Sequence, residues 1–250
     1  MNFYRYILFL LLLSAGCSKP SDKIIVATAA NVQYVMQDIK KEFEKETGKP
    51  IEIVVSSSGK LTTQIREGAP FDVFVSADTK YPDEIFEKGG AEEKPRVYAL
   101  GTLVMWSKEL PVEKLSADIL TDASVKKIAI PNPDVAPYGA AALAFLKKRP
   151  DFEQIKTKLV YGESISQTAQ YISSGTAEIG FNALSIVLAP EMKGKGNWIE
   201  VDSSLYQPIE QAAILLRHSD NSPKKETSEQ FYKFLYSAKA KAIFTQYGYK

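Results

Sequence analysis

Four places in the sequence set small or neutral polar residues where a strand gives way to a helix. They are Ala29-Ala30-Asn31, Ser57-Ser58-Gly59, Pro137-Tyr138-Gly139 and Ser164-Ile165-Ser166. The first turn of a helix exposes N–H groups that have no partner within the helix, and it carries roughly half a positive charge. Four such starts aimed at one point would supply about two positive charges, enough to suit a dianion. None of the four contains Arg, and Lys60 is the one basic residue close to them. The chemistry on offer is therefore the holding of an anion by neutral donors. The competing reading is that Asn31, Ser58 and Ser164 only cap their own helices.

Other chemistry is scarce. His218 is the only His and lies in a polar, turn-like stretch, RHSDNSP, which reads as exposed. Cys17 is the only Cys, so a structural zinc site, which needs about four Cys or His ligands, is excluded. There is no G-x-S-x-G, H-E-x-x-H or P-loop. Ser58-Gly59-Lys60 resembles only the end of a P-loop, and Gly194-Lys195-Gly196 reads as an exposed turn. Glu42, Glu44 and Glu46 fall on the wet face of a helix. Asp72 and Asp78 flank a strand, where they could be an acid/base pair or could serve caps and internal hydrogen bonds. With 31 basic against 30 acidic residues, nothing in the charge points to nucleic acid.

These junctions need elements to position them, and the sequence alternates strand and helix. Ile24–Thr28 is an apolar run typical of a buried strand. Asn31 is expected to cap a helix whose buried face is Val32, Val35, Met36, Ile39 and Phe43, and Gly48 and Pro50 stop it. Strands are expected at 51–55, 72–76, 103–107, 127–130, 159–161, 179–181 and 209–216. Helices are expected at 61–67, 82–88, 139–148, 164–174, 227–236 and 238–247. The β-α-β order predicts an α/β protein with mainly parallel sheets. The pattern breaks near Gly101 and near Tyr206–Pro208. Two breaks predict two lobes, 22–101 plus 206–250 and 102–205, with a cleft between them.

The first sixteen residues read as a leader. Arg5 is followed by the apolar run Ile7–Leu13 and the small residues Ser14, Ala15 and Gly16. Cys17 comes next, which resembles a bacterial lipobox with Ser14 where Leu is usual. Cys17 is then the lipidated first residue of the mature chain, residues 17–21 open the tether, and the protein acts outside the cytoplasm. Plain signal cleavage near Gly16 is the alternative.

The mature chain is similar to the molybdate-binding components of ABC importers, which are type II periplasmic-type binding proteins. The likeness runs over residues 24–249. It is carried by Ala29-Ala30-Asn31 with Met36-Gln37-Asp38-Ile39, by Ser56-Ser57-Ser58-Gly59, and by Gly68 to Asp78 (GAPFDVFVSAD). It continues through Pro131 to Gly139 (PNPDVAPYG), Ile179-Gly180-Phe181 with Ala183-Leu184-Ser185, and Phe244 to Gly248 (FTQYG). The resemblance implies two α/β lobes and a tetrahedral oxyanion, molybdate or tungstate, held without cofactor or metal ligand. It implies that Asn31 donates through its amide and main chain, and Ser58 through its hydroxyl and N–H. Tyr138 and Ile165 would donate main-chain N–H, so their side chains should matter less. Ala30, Ser57 and Gly59 stand beside these contacts. Ala183 stands where some members place a Tyr hydroxyl, so that donor is missing. The implied partner is an ABC permease, and the protein is expected to be a monomer and no enzyme.

A site made only of donors leaves the proton of hydrogen phosphate without an acceptor, which costs roughly 1–3 kcal/mol. Sulfate must be rejected by size. A same-fold binder of sulfate, phosphate or a small organic acid is the alternative.

Overall fold

A computed structural model describes residues 23–220 and 223–250 of the 250-residue chain. The expected leader and Cys17, the expected lipidation site, lie outside the described residues.

The chain first builds β1 (Ile24–Ala29), α1 (Gln33–Thr47), β2 (Ile51–Ser56), α2 (Ser58–Arg66), β3 (Val73–Val75), α3 (Lys80–Glu87) and β4 (Arg96–Gly101). It then builds β5 (Leu103–Ser107), β6 (Ile128–Pro131), α4 (Pro137–Lys147), α5 (Phe152–Lys156), β7 (Leu159–Gly162), α6 (Ile165–Ser173), β8 (Ile179–Ala183), α7 (Leu184–Val187) and β9 (Asn197–Glu200). It returns through β10 (Ile209–Leu215), α8 (Lys225–Phe234) and α9 (Ala238–Gln246).

Two five-stranded sheets result, in the orders β2-β1-β3-β10-β4 and β7-β6-β8-β5-β9. They share one plan. β1 pairs parallel with β2 and β3, and β6 pairs parallel with β7 and β8. The strands at the crossings run the other way. β10 is antiparallel to β3 and β4, and β5 is antiparallel to β8 and β9. The two-lobed α/β architecture matches the expectation, while each sheet is parallel on one side and antiparallel on the other. The reason lies in the crossings: β4 runs into β5 through Thr102 alone, and a chain that enters a sheet from its partner cannot follow the β-α-β rule.

Buried parallel strands read as apolar runs because both faces are covered. Ile24, Val26 and Ala27 of β1 and the whole of β6 are buried accordingly. α1 lays Val35, Met36, Ile39 and Phe43 inward, a helical stripe. It ends at Gly48, whose φ of 69° allows its N–H to reach Glu44 O at 2.8 Å. The edge strands β4 and β9 are half exposed and lack a clean alternation, which is why no pattern announced them. α5 and α7 are five and four residues long, too short for a helical stripe.

Asp72 and Asp78 belong to the scaffold. Asp72 Oδ2 accepts the Ile25 N–H at 2.7 Å and lies 4.0 Å from Lys224 Nζ. Asp78 Oδ1 accepts from Ser76 Oγ at 3.1 Å and from the Tyr81 N–H at 3.3 Å, in the first turn of α3. Burial pushes both carboxyls above the usual carboxylate range. A raised folded-state pKa means that the folded protein binds the proton more tightly than the unfolded chain. Stability from Asp72 is therefore fully present below its unfolded pKa of roughly 3.9 and is lost as pH rises through the folded value. Asp72→Asn has no such titration, while Asp78 titrates alike in both proteins. In urea unfolding at stepwise higher pH from about 4, the variant is expected to gain stability relative to the parent. A gap that stays constant with pH would contradict this account.

Candidate functional site

The C-terminal end of β1 and the N-terminus of α2 meet the starts of α4 and α6 across the cleft. One small pocket is lined by Ala29, Ala30, Asn31, Ser57, Ser58, Ala77, Ala136, Pro137, Tyr138 and Ile165. All four sequence junctions thus reach the same place. Larger open depressions lie elsewhere, one beside the crossings at Gly101–Thr102 and Val201–Asp202, but that one holds none of the four junctions.

The donors have the chemistry expected of helix starts. Ser58, Tyr138 and Ile165 sit in the first turns of α2, α4 and α6, where no intrahelical acceptor exists. Pro137 occupies the first position of α4, where its missing N–H is no loss, and leaves Tyr138 as the first donor. Ser58 Oγ accepts the Ala77 N–H at 3.0 Å. That bond occupies a lone pair and leaves the hydroxyl proton to be donated.

The capping alternative holds for one residue of three. Ser164 does cap α6, accepting the Gln167 N–H at 3.3 Å. Ser58 does not cap α2; the N-cap is Ser57, whose side chain makes no capping bond. Asn31 is not the N-cap of α1 either. It sits inside a 3-10 turn, Ala30–Val32, and the helix starts at Gln33. The turn carries the chain off β1 before α1 begins, so Asn31 faces the pocket rather than the helix end.

Asn31 is instead built into a buried polar network. Its Nδ2 donates to Gln211 Oε1 at 2.7 Å and to Tyr249 Oη at 2.9 Å. Gln211 Nε2 donates to Tyr138 Oη at 3.0 Å, and Tyr98 Oη donates to Gln211 Oε1 at 2.8 Å. Asn31 O accepts from Ser185 Oγ at 2.7 Å. Two buried side-chain atoms of pocket residues have no protein partner among the described residues: Asn31 Oδ1 and Ser57 Oγ. Buried polar atoms are rarely left so, and two at one pocket point to a missing polar occupant.

The Tyr138 side chain is therefore not a spare group. Its hydroxyl accepts from Gln211 Nε2 behind the pocket, and it nearly touches Gly101, where an added Cβ would lie 2.1 Å from it. Burial pushes the Tyr98, Tyr138 and Tyr249 phenols up, the last to about 12. Gly59 and Ala183 are not brought to the pocket as donors. The Gly59 N–H is taken by Val135 O at 3.0 Å, and the Ala183 N–H by Asn182 Oδ1 at 2.9 Å.

The two lobes are closed on each other. Besides Gly59–Val135 and Gln211–Tyr138, Tyr81 Oη donates to Asp134 O at 2.9 Å and Ser166 Oγ to Gln33 Oε1 at 2.8 Å. Lys60, the one basic residue near a junction, is spent on Glu163 across the mouth at 2.5 Å. That exposed pair is worth little in energy. It also leaves the pocket itself to neutral donors.

Sequence reasoning missed Gln211, Tyr98, Tyr249 and Ser185. A weak signal existed for Gln211, a lone amide in the apolar run Ile209–Leu216.

Comparison with known proteins gives consistent results. The family described as bacterial extracellular solute-binding protein matches residues 24–250. The molybdate-binding protein ModA of Azotobacter vinelandii is 36% identical over 236 residues, 94% of this chain and 92% of that one. The putative ABC transporter substrate-binding lipoprotein YvgL of Bacillus subtilis is 28% identical, over 99% of this chain and 98% of that one. The solved periplasmic molybdate-binding protein of Azotobacter vinelandii superposes with a TM-score of 0.83 at 32% identity, covering 91% of this chain and 98% of that one.

Proposed function

Because the chain belongs to the bacterial extracellular solute-binding protein family, together with ModA, we propose that it captures molybdate outside the cytoplasm and hands it to the permease of an ABC importer. The observation that carries the reading is the meeting of four arginine-free junctions at one pocket. Family membership makes it a binding protein rather than an enzyme.

In this reading the main-chain N–H groups of Asn31, Ser58, Tyr138 and Ile165, the Asn31 side-chain amide and the Ser58 hydroxyl hold the oxyanion. Ser57 Oγ is a further donor, and Ala30 contributes backbone only. The unpaired state of Ser57 Oγ supports it. Tungstate, nearly the same in size and charge, is held in the same way. The lobes are 22–101 plus 206–250 and 102–205, and the bonds that cross the cleft favour the closed form which the permease reads. The mature protein works as a monomer.

Thermal unfolding of residues 18–250 with molybdate, tungstate, sulfate or phosphate tests the reading. At a ligand concentration of a thousand times Kd, linkage stabilises by about 4 kcal/mol. For a chain of this size that is a rise of roughly 8–16 °C in Tm. The expected result is such a rise with molybdate and tungstate and little change with the other two. No rise with molybdate or tungstate would reject the proposal, and a rise with another anion would favour the same-fold alternative.

Anchoring by lipid at Cys17 is part of the proposal. Its support is the leader pattern and the likeness to a lipoprotein. Cys17→Ser is expected to move the protein from the membrane fraction to the soluble one. Retention in the membrane fraction would count against the anchor.

A further inference from the structure

We propose that Gln211 sets which atom of the Asn31 carboxamide faces the anion, and so acts as a positioning residue for selectivity; this rests on the anion-binding reading above. The observation is the orphaned Asn31 Oδ1 beside a fully spent Nδ2. Both Nδ2 hydrogens are directed away from the pocket residues, to Gln211 Oε1 and Tyr249 Oη, while Oδ1 has no partner among the described residues. In that arrangement Asn31 offers the pocket no side-chain donor. An acceptor next to a dianion is repulsive, whereas an acceptor next to a protonated anion is useful.

The network has a second arrangement that satisfies every member. Turning both carboxamides over exchanges their N and O positions, which the heavy-atom geometry allows without displacement. Gln211 Nε2 then donates to Asn31 Oδ1. Tyr138 Oη, which now accepts from Gln211, donates to Gln211 Oε1. Tyr98 Oη already has a second acceptor, Ser76 O at 2.9 Å, and so can receive the other Gln211 hydrogen. Tyr249 Oη stops accepting from Nδ2 and turns its one proton from Asn31 O and Ser185 Oγ to Asn31 Oδ1, while Asn31 O keeps the Ser185 hydroxyl. Asn31 Nδ2 is freed for the anion, and the orphan disappears. Asn31, Gln211, Tyr138 and Tyr249 are buried together with half-buried Tyr98 beside them, so the two amides turn as a pair rather than singly.

Gln211→Glu separates this from a merely structural role. An ionised Glu has acceptors only, so it holds Asn31 Nδ2 in its present direction. A protonated Glu has a hydroxyl donor, which can serve Asn31 Oδ1 and release Nδ2. The titratable groups facing position 211 are Tyr98 from β4, Tyr138 from α4 and Tyr249 from the C-terminal segment, with Asp78 acting on Tyr98 from further off. The three phenols stay neutral throughout. A glutamate buried there has a raised pKa, so it takes up a proton between about pH 8 and about pH 6.

Molybdate Kd by calorimetry is expected to be roughly ten- to hundredfold weaker than in the parent at about pH 8, and to tighten toward the parent's value by about pH 6. The parent should show no such trend. A variant that matches the parent at every pH, or is equally weakened at every pH, overturns the proposal. Should Gln211→Glu fail to fold, the parent alone suffices: the Asn31 side-chain amide resonances, identified by their loss in Asn31→Ala, must shift when molybdate is added. Unmoved resonances in a protein that binds molybdate overturn the proposal and leave the function intact. A parent that binds no molybdate removes the function and the proposal with it.

Discussion

Removing the side chains of Ser58 and Asn31 together is expected to weaken molybdate binding by roughly 10²- to 10⁴-fold. Hydrogen bonds to charged groups are worth about 1.5–3 kcal/mol each, and two give that range if they act independently. They share a pocket, so the measured loss is expected to depart from the product of the single losses. Ser58→Ala also strands the Ala77 N–H, and Asn31→Ala takes one of two donors from Gln211 Oε1 and one of the partners of Tyr249 Oη. The unliganded Tm must therefore be measured beside Kd. A double variant that still binds molybdate within threefold or so of the parent would mean that backbone N–H groups alone hold the anion, against the usual worth of such donors.

Gly139→Ala is expected to damage both stability and binding. A Cβ at Gly139 would lie 2.2 Å from Pro131 O, 2.8 Å from Pro131 C and 3.0 Å from Asn132 C. All three are backbone atoms, so no rotamer change relieves the clash. The start of α4 must lift off the end of β6, and the Tyr138 N–H moves with it. Overpacking of this kind costs typically 1–3 kcal/mol, and a purely backbone clash belongs at the upper end. In a chain of this size that is roughly a 6–12 °C fall in Tm for the unliganded protein. The stabilisation by molybdate should shrink as well, because one of the four donors is displaced. An unliganded Tm within a degree or two of the parent would show that α4 shifts freely, contrary to the close approach seen here.

The elements that position the pocket were legible because they are the buried ones. β1, α1, β3 and α4 carry unbroken apolar runs or helical stripes, and the glycines and prolines at their ends mark the junctions. β4 and β9 were not legible, since an edge strand with one wet side needs no pattern. The reversal of β5 and β10 was equally hidden, because strand direction depends on where the chain came from rather than on which residues form the strand. The pocket divides in the same way. The junctions that hold Asn31, Ser58, Tyr138 and Ile165 could be read from local sequence, while the choice of residue within each came from the family resemblance. Gln211, Tyr98 and Tyr249 could not, since they meet Asn31 or one another only after the whole chain has folded. Local reasoning also made Asn31 a helix cap, and the 3-10 turn before α1 shows why it is not.

Asn31 is joined to Gln211 and Tyr249, residues 180 and 218 positions further on. Contacts of such separation form late, because the loop between them must first be closed. A chain threaded N-terminus first through a membrane would expose Asn31 early and its two supports among the last. The half-translocated protein would own the first two junctions and lack the floor behind them. In such a chain anion capture would be tied to completed passage, and a chain cut short before residue 211 would lack both supports behind Asn31.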